Sequence, residues 1–291
     1  MTADDEQPLT DGVVTLRRVQ ASDVALRFDV FHSGERVAEV GVVDRGGQVG
    51  ELTWVIEDPQ QRGQGYATRA VRLLVTYAFA ELDYLRLEAL APADNRAAHR
   101  VGSRAGLRRE GVRRGPDHDW VVLARLRDDP DPYQAEGFRA LLNSALPRKR
   151  AIAQLAVRDE QGRLLLCQLT YKQDWDFPGG VVEDDESPRM AAERECREEL
   201  GLELTADRLL VVDWLPAWGG WDDACVFMFD GGTVDASIVD RIVPEPREIR
   251  AAEFCDERQI AERCADFTAR RAAALLDADA DAPLRYLESG R

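Results

Sequence analysis

Apolar and polar residues alternate along four segments near the start of the chain, and this two-residue period predicts half-buried β-strands. A helical period follows, because Ala70, Leu73, Leu74, Tyr77 and Ala78 form one apolar stripe. The first half of the chain is therefore expected to combine a sheet with at least one helix. The predicted elements are strands at residues 13–18, 25–31, 35–43 and 50–56, a helix at about residues 67–82 and a strand at residues 85–90.

A long acidic helix is predicted in the second half of the chain. Ser187 and Pro188 mark its start, because serine accepts hydrogen bonds from free backbone amides and proline has no amide hydrogen at the first helical position. Gly201 marks its end. Residues at a spacing of four form the face suited to a core, and these are Ala192, Cys196 and Leu200.

A domain boundary is predicted at residues 127–133, where three aspartates and two prolines interrupt both strand and helix patterns. We expect one domain over residues 1–127, a linker over residues 128–148 and a second domain over residues 149–291. The linker contains a short helix whose apolar residues are Phe138, Leu141, Leu142 and Leu146. The second domain opens with predicted strands at residues 152–158 and 164–169.

The chain has 291 residues, of which 45% are hydrophobic and 32% are charged, and its formal net charge is −16. Residues 1–148 hold 23 acidic and 20 basic residues, whereas residues 149–291 hold 31 and 18. An anionic surface disfavours binding of nucleic acid or of an anionic membrane. A small phosphorylated substrate of the second domain would therefore require a metal ion.

Composition also bears on location and on cysteine chemistry. No apolar run approaches the roughly 18 residues of a spanning helix, and residues 1–6 lack the basic and apolar regions of a signal peptide. We therefore expect a cytoplasmic protein. The five cysteines show no C-x-x-C spacing, so we expect neither disulfides nor structural zinc. The sequence gives no indication of an oligomeric state.

Three glutamates crowd the last two turns of the acidic helix. Glu195, Glu198 and Glu199 lie at positions i, i+3 and i+4, where like charges repel. The backbone carbonyls already make this end of a helix electronegative. A divalent cation would reverse both penalties, and carboxylate oxygens suit Mg²⁺ or Mn²⁺. The alternative is a solvated acidic face with ion pairs to Arg194 and Arg197.

The stretch from Gly180 to Leu202 matches the pattern G-x5-E-x7-R-E-U-x-E-E-x-G-U, with Cys196 at the position of a bulky aliphatic residue. This pattern resembles the signature of the Nudix hydrolases, and the resemblance covers roughly residues 149–278. It implies metal-dependent hydrolysis of a diphosphate bond in a nucleoside diphosphate linked to another group, with Mg²⁺ or Mn²⁺ as cofactor.

The Nudix resemblance also implies roles for individual residues. Arg194 would orient the acidic cluster, and Glu186 would support the loop before the helix. A further acid from a later loop is expected, with Glu248 as the candidate and Glu245, Glu253 and Asp240 as rivals. The implied metal ligands are Glu195, Glu198 and Glu199, and the implied catalytic residues are Arg194, Glu198, Glu199 and Glu248.

Aromatic residues near the predicted metal site suggest stacking of a nucleotide base, although core packing is the alternative explanation. These residues are Trp175, Phe177, Trp214, Trp218 and Trp221. Two resemblances leave the substrate subclass open. Pro216 resembles the proline of ADP-ribose hydrolases, whereas the segment from Trp175 to Gly180 resembles enzymes that cleave nucleoside triphosphates, including oxidised ones.

A glycine turn at residues 61–67 lies between a predicted strand and a predicted helix of the first domain. Bare glycines let backbone amides approach a pyrophosphate at a helix N-terminus. The turn resembles the acyl-coenzyme A loop of the GNAT acetyltransferases, and Asn95, Val101, Gly106 and Leu107 resemble a second motif of that family. The resemblance covers about residues 12–127. The implied acetyl-CoA-binding residues are Arg62, Gly63, Gln64, Gly65, Tyr66, Ala67 and Asn95.

The first domain also departs from the GNAT pattern. Gly102 occupies the place of a tyrosine that serves as general acid in related branches, and residues 18–25 leave no room for the two helices that usually build the acceptor side. Acetyl transfer to an amine is one hypothesis for this domain. An acyl-CoA sensor without turnover, or a structural module, is the rival.

The two resemblances imply an α/β (α+β) fold class, with a GNAT-like mixed sheet and helices followed by a Nudix α/β/α sandwich. The expected function is Mg-dependent hydrolysis of a diphosphate bond in a nucleoside di- or triphosphate derivative, joined to a trimmed acyl-CoA-binding domain. The alternatives are a protein whose main activity is N-acetyl transfer, or a nucleotide and acyl-CoA sensor.

Overall fold

The computed structural model describes residues 8–19, 25–277 and 282–291. The chain divides into two compact units, Met1–Pro147 and Arg148–Arg291. Each unit contains its own eight-stranded sheet with helices packed on it, which confirms the predicted α/β (α+β) class. Within the described residues, no helix is both long and apolar enough to cross a membrane.

The described residues of the first unit form eight strands, three α-helices and a short 3-10 helix. These are β1 (Leu9–Thr10), β2 (Thr15–Val19), β3 (Ala25–His32), β4 (Glu35–Asp44), β5 (Val49–Val55), the 3-10 helix Pro59–Gln61, α1 (Tyr66–Glu81), β6 (Arg86–Pro92), α2 (Arg96–Arg104), β7 (Arg108–Arg113), β8 (Trp120–Leu126) and α3 (Ala135–Ala145). The sheet order is β1-β2-β3-β4-β5-β6-β8-β7. Only the β5 and β6 pair is parallel among the pairings described.

Helix α1 packs on the first sheet through its predicted apolar stripe. Ala70, Leu74 and Ala78 are fully buried, and Leu73 and Tyr77 are partly buried against the same core. The predicted strands and helix of this unit are confirmed, with ends that shift by at most two residues. Periodicity therefore located the elements that build the first core.

Two connections in the first unit bear on the predicted organisation. Strands β2 and β3 pair as neighbours, and residues 20–24 between them, where the sequence leaves no room for the two acceptor-side helices, lie outside the described part of the chain. Helix α3 falls within the segment expected as a linker, and it packs on β7. A Cβ atom at Gly137 would lie 2.2 Å from the carbonyl oxygen of Asp131, so glycine permits this close approach.

The second unit also contains eight strands and three α-helices in its described residues. These are β9 (Arg150–Asp159), β10 (Leu164–Leu169), β11 (Trp175–Asp176), β12 (Gly179–Val181), α4 (Pro188–Leu200), β13 (Leu209–Leu215), β14 (Ala224–Val234), the 3-10 helix Ala236–Arg241, β15 (Ile249–Cys255), α5 (Glu257–Arg263), α6 (Asp266–Leu276) and β16 (Arg285–Glu288). The main sheet order is β11-β10-β9-β14-β13-β16, with β12 paired to β9 and β15 to β10.

The sheet of the second unit buries both of its faces, because alternate residues of its strands belong to different clusters. Leu165 and Cys167 of β10 pack with the buried residues of α4, whereas Leu164 and Leu166 pack with those of α5 and α6. The sheet therefore lies between helices, as the Nudix resemblance implies. The parallel pairs β9 with β14 and β13 with β16 make it a mixed sheet.

Candidate functional site

Helix α4 has the boundaries that its capping residues predict. The Ser187 side chain accepts a hydrogen bond from the backbone N–H of Met190, Pro188 is the first helical residue, and Gly201 ends the helix with a φ of 68°. Ala192, Cys196 and Leu200 are fully buried. This anchoring fixes the direction in which the glutamates of the last turns point.

Two glutamates of α4 meet a third from a distant loop. Carboxylate oxygens of Glu195, Glu199 and Glu248 all lie within 4.8 Å of one another. Glu248 immediately precedes β15, whose pairing with β10 brings this loop towards the helix. Glu198 lies outside this group, and its side chain is exposed. We refer to Glu195, Glu199 and Glu248 as the carboxylate cluster.

Two consecutive glycines place the backbone against the carboxylate cluster. The N–H of Gly179 donates a 2.9 Å hydrogen bond to Oε2 of Glu199. A Cβ atom at Gly180 would lie 2.4 Å from Oε1 of Glu195, so any residue other than glycine would displace this carboxylate. Strand β12, which contains both glycines, therefore shapes the cluster as much as the helix does.

Arg194 holds the acidic residues around it through charged hydrogen bonds. Its Nε and Nη2 donate to the two carboxylate oxygens of Glu186 at 2.9 and 3.1 Å. Its Nη1 donates to Oε1 of Glu195 at 3.0 Å and to Oε2 of Glu198 at 2.8 Å. One guanidinium thus fixes the loop before α4 and two glutamates of the helix, as a planar donor fork can.

Burial gives Glu199 an unusual protonation equilibrium. Only 4% of the residue is exposed, and burial together with the nearby charges of Glu195 and Glu248 raises the pKa of Glu199 to about 8, although the Gly179 N–H opposes this shift. Burial also raises the pKa of Glu195, against the effect of Arg194. The cluster therefore concentrates more negative charge than the fold alone stabilises, which favours a cation.

A cavity of about 430 Å³ lies beside the cluster, and Gly179 and Gly180 form part of its wall. Aromatic side chains of Phe177, Trp218 and Trp221 line it, with the two tryptophans 53% and 54% exposed. The two tryptophan residues form an antiparallel bridge across a turn. Trp175 and Trp214 are absent from this lining, and Trp175 is buried in the core, as the alternative explanation proposed.

The first unit has an open helix N-terminus at its glycine turn. Gly63 and Gly65 have φ values of 79° and 86°, and Gly65 caps α1 without a side-chain hydrogen bond. Arg62 turns back and donates to the carbonyl oxygen of Ile56 at 3.3 Å. The residues predicted for coenzyme binding, 62–67, therefore form the turn and the first residues of α1.

Strands β5 and β6 pair with each other only over their first three residues. Their parallel pairing runs from Val49 with Arg86 to Glu51 with Glu88. β5 continues to Val55 along β4, and β6 continues to Pro92 along β8. The facing edges of the two strands are consequently available to a ligand between them.

Comparison with protein families assigns both units. A model described as NUDIX domain matches residues 147–276, and a model described as Acetyltransferase (GNAT) domain matches residues 11–108.
The chain joins a GNAT acetyltransferase domain to a Nudix hydrolase domain.

Known proteins resemble separate parts of the chain. The CTP pyrophosphohydrolase of Escherichia coli (strain K12) is 48% identical over 54 residues, which are 17% of this chain and 40% of that protein. The probable N-acetyltransferase YjcK of Bacillus subtilis (strain 168) is 40% identical over 80 residues, 25% of this chain and 44% of that protein. The chain thus spans less than half the length of either relative.

One solved structure is matched over nearly the whole length of its own chain. The MutT protein from Methanosarcina mazei Go1 is 22% identical and has a TM-score of 0.39, and the match covers 45% of this chain and 96% of that one.

In the Nudix domain, the structure unites some of the predicted site residues and separates others. Glu195, Glu199 and Glu248 come together, whereas Glu198 is held by Arg194 on the exposed side. Among the rivals of Glu248, Glu253 is paired with Arg263 at 2.7 Å. Sequence reasoning missed the polar residues that line the cavity, which are Arg150, Gln154, Lys172, Asp176, Asp222, Asp266, Arg270 and Ser289.

In the GNAT domain, the structure gives the surroundings of two residues named in the sequence analysis. Asn95 follows β6, and its side chain accepts a 3.0 Å hydrogen bond from the N–H of Ala98, which caps α2. A Cβ atom at Gly102 would lie 2.6 Å from Cδ1 of Leu123, so the place of the family's tyrosine is filled by packing.

Proposed function

We propose that the Nudix domain hydrolyses a diphosphate bond in a nucleoside di- or triphosphate derivative and that it uses Mg²⁺ or Mn²⁺. The observation that carries this proposal is the carboxylate cluster of Glu195, Glu199 and Glu248, placed beside a cavity with aromatic walls. A cation held by the cluster and a base held by the cavity would put the diphosphate between them.

The residues of the cluster fit a hard divalent cation. All three offer carboxylate oxygens, the donor type that Mg²⁺ and Mn²⁺ prefer. Glu199 is buried and forms no ion pair with a basic side chain in the described residues, so a cation would offset the burial and the neighbouring charges that raise its pKa. When bound, the cation would neutralise phosphate oxygens and lower the pKa of a bound water.

The chain's own residues then have distinct tasks. Glu195 and Glu199 would hold the cation from the helix, and Arg194 would keep Glu195 oriented through their 3.0 Å ion pair. Glu248 is exposed to solvent, so we assign it the exchange of a proton with water as well as a place in the cluster. Glu198, also exposed, is the alternative proton acceptor.

A nucleoside triphosphate is the substrate that the comparisons favour. The relative with 48% identity is a CTP pyrophosphohydrolase. The aromatic cavity provides stacking surfaces for a base, and its volume of about 430 Å³ lies within the range of small-molecule sites. Asp176, Phe177, Gly179 and Gly180, which belong to the segment that resembles nucleoside triphosphate hydrolases, line this cavity and support the same class.

Release of phosphate, diphosphate and nucleoside monophosphate from a panel of nucleotides tests this proposal. The panel contains nucleoside triphosphates, ADP-ribose and NADH, each assayed with Mg²⁺, with Mn²⁺ and with a chelator. We expect metal-dependent release from wild type, and loss of at least about 100-fold in Glu199→Gln. The matched control is Glu203→Gln, since Glu203 is exposed and lies just beyond α4. Equal turnover of both variants would overturn the assignment.

For the GNAT domain, we propose binding of acetyl-CoA with its pyrophosphate at the N-terminus of α1. The supporting observation is the glycine turn, which leaves the first amides of α1 without a side-chain cap. The separated edges of β5 and β6 would receive the pantetheine arm. Calorimetric titration with acetyl-CoA tests binding, and an amine panel then tests acetyl transfer, for which absence of turnover would favour the sensor hypothesis.

A further inference from the structure

A chain of polar side chains runs beneath the cavity of the Nudix domain. Arg271 is fully buried; its Nε donates to Oδ2 of Asp213 at 2.9 Å, and its Nη1 donates to Oε1 of Gln154 at 2.9 Å. Nε2 of Gln154 donates to Oδ1 of Asp176 at 3.1 Å. Oδ2 of Asp176 then accepts from Nζ of Lys172 at 2.8 Å.

Arg271, the buried residue at one end of these linked side chains, sets the direction of each hydrogen bond between them. A guanidinium only donates, so Arg271 turns the oxygen of the Gln154 side chain towards itself and its N–H₂ group towards Asp176. Oδ1 of Asp176 also accepts from the backbone N–H of Phe177 at 3.0 Å. Asp176 is therefore held on one side, and its Oδ2 faces Lys172.

Lys172 and Asp176, at the end of the linked side chains that reaches the cavity, can form further hydrogen bonds. The ammonium of Lys172 has three protons and uses one on Asp176, and Oδ2 of Asp176 has one further acceptor site. Both residues line the cavity, as do Phe177, Trp218 and Trp221. A donor and an acceptor therefore lie side by side in a cavity with aromatic walls.

The ion pair of Lys172 and Asp176 suits a neutral ring better than a phosphate. Burial favours the protonated form of Asp176, but Lys172 and Arg271 lower its pKa, so the pair consists of one negative and one positive group. Its net charge is zero, and the carboxylate would repel a phosphate oxygen placed close to the ammonium. A lactam edge, in which a ring carbonyl adjoins a ring N–H, satisfies both groups at once.

Lysine is also a rare residue in this protein. The chain has 38 lysine and arginine residues, and only Lys149 and Lys172 are lysines. Lys149 pairs with Asp223 and does not line this cavity. The two lysines of the chain therefore form a natural comparison, because each is ion-paired to an aspartate and only one faces the cavity.

On the basis of the proposed function, we propose that Lys172 and Asp176 determine base specificity in the Nudix domain by binding the lactam edge of a guanine or uracil ring. Lys172 donates to the ring carbonyl and Oδ2 of Asp176 accepts from the neighbouring ring N–H. Gln154 and Arg271 are positioning residues that orient Asp176 and, through it, Lys172.

Binding of nucleoside monophosphates tests this inference without any diphosphate bond being cleaved. Calorimetry with GMP, UMP, AMP and CMP is performed on wild type, Lys172→Met and the control Lys149→Met. We expect wild type to prefer GMP and UMP, Lys172→Met to lose at least about tenfold in affinity for these two, and Lys149→Met to match wild type. AMP and CMP should change by less than about threefold.

Each other outcome has a definite meaning. Equal losses for all four monophosphates would show that Lys172 contacts phosphate, and this would overturn base recognition. Absence of binding by wild type would overturn it as well. Base-selective binding without hydrolysis of any triphosphate would leave the inference standing and refute the proposed hydrolase activity, so the two failures are distinguishable.

A double-mutant cycle tests the positioning residues. Gln154→Met removes the link between Arg271 and Asp176, and we expect it to reduce the preference for GMP over AMP at least about threefold in the wild-type background. The same substitution should have no further effect on this preference in Lys172→Met. A loss that is equal for every base, or that persists in Lys172→Met, would assign Gln154 a purely structural role.

Discussion

The backbone N–H of Gly179 donates a 2.9 Å hydrogen bond to Oε2 of Glu199, which is the most buried carboxylate of the cluster. This bond joins the first residue of β12 to the last turn of α4. It also gives Glu199 its main stabilising contact, since burial and the neighbouring charges act against ionisation of this side chain. Strand β12 and helix α4 thus form a single site.

The next residue of β12, Gly180, gives the first prediction. Gly180→Ala should lower metal-dependent hydrolysis at least about tenfold, because the new Cβ atom would displace the Glu195 carboxylate from 2.4 Å away. Gly111→Ala is the control, as nothing lies within 4 Å of a Cβ atom built there. Steady-state kinetics measure the effect. Full activity of Gly180→Ala would contradict the position of Glu195.

The place of Glu248 in the cluster predicts a metal-dependent gain in stability. Mg²⁺ at 100 times its dissociation constant should stabilise wild type by about 2.7 kcal/mol. Glu248→Ala should lose most of this gain, because one of three ligand carboxylates is removed.

Glu253→Ala is the matched control for Glu248→Ala. Glu253 is a rival acid in the same region, but it is paired with Arg263 at 2.7 Å. Thermal unfolding of the three proteins with Mg²⁺ and with chelator measures the effect. If Glu253→Ala loses the gain and Glu248→Ala keeps it, the assignment is wrong.

The glycine turn of the GNAT domain predicts a selective loss of coenzyme affinity. Gly65→Ala should weaken acetyl-CoA binding at least about tenfold, because alanine disfavours the φ of 86° that directs the first amides of α1 outward. Gly46→Ala meets a similar strain, with a φ of 78°, in the turn between β4 and β5. Calorimetry should show a loss of affinity in the first variant only, while both lose similar stability.

The buried ion pair of the Nudix domain predicts a large effect on stability. Arg271→Met should lower the free energy of unfolding by about 3–5 kcal/mol, because Asp213 would keep a buried charge without its partner. Arg197→Met removes an exposed pair with Glu203 and should cost less than about 1 kcal/mol. Denaturant unfolding compares the two. Similar values would contradict the burial of Arg271.

The capping residues predict both ends of α4 correctly, whereas the carboxylate cluster cannot be predicted without the tertiary structure. Ser187 and Gly201 act on the backbone beside them, so their effect is readable in sequence. On a helix with about 100° per residue, Glu199 lies about 40° from Glu195, but Glu198 lies about 60° away on the other side. The Nudix resemblance implies Glu198 as a metal ligand, whereas its side chain in the structure pairs with Arg194 and is exposed.

The features that the sequence does not predict depend on residues that lie far apart in the chain. Glu248 was a candidate among rivals, because only the pairing of β15 with β10 decides which acid approaches the helix. Arg271 lies 117 positions from Gln154, and Asp176 lies 22 positions from it. No local pattern links these residues, so the polar chain beneath the cavity emerges only when the strands and α6 have assembled.

Because β16 lies late in the chain, the two domains can complete their sheets at different times during synthesis. Strand β16 pairs in parallel with β13, and the N–H of Gly290 donates to Asp213, the partner of Arg271. All described strands of the first sheet have been made once Leu126 is added. The GNAT domain can therefore fold early, whereas β13 of the Nudix domain lacks its neighbour until β16 has been made, and chaperones would protect the domain during that interval.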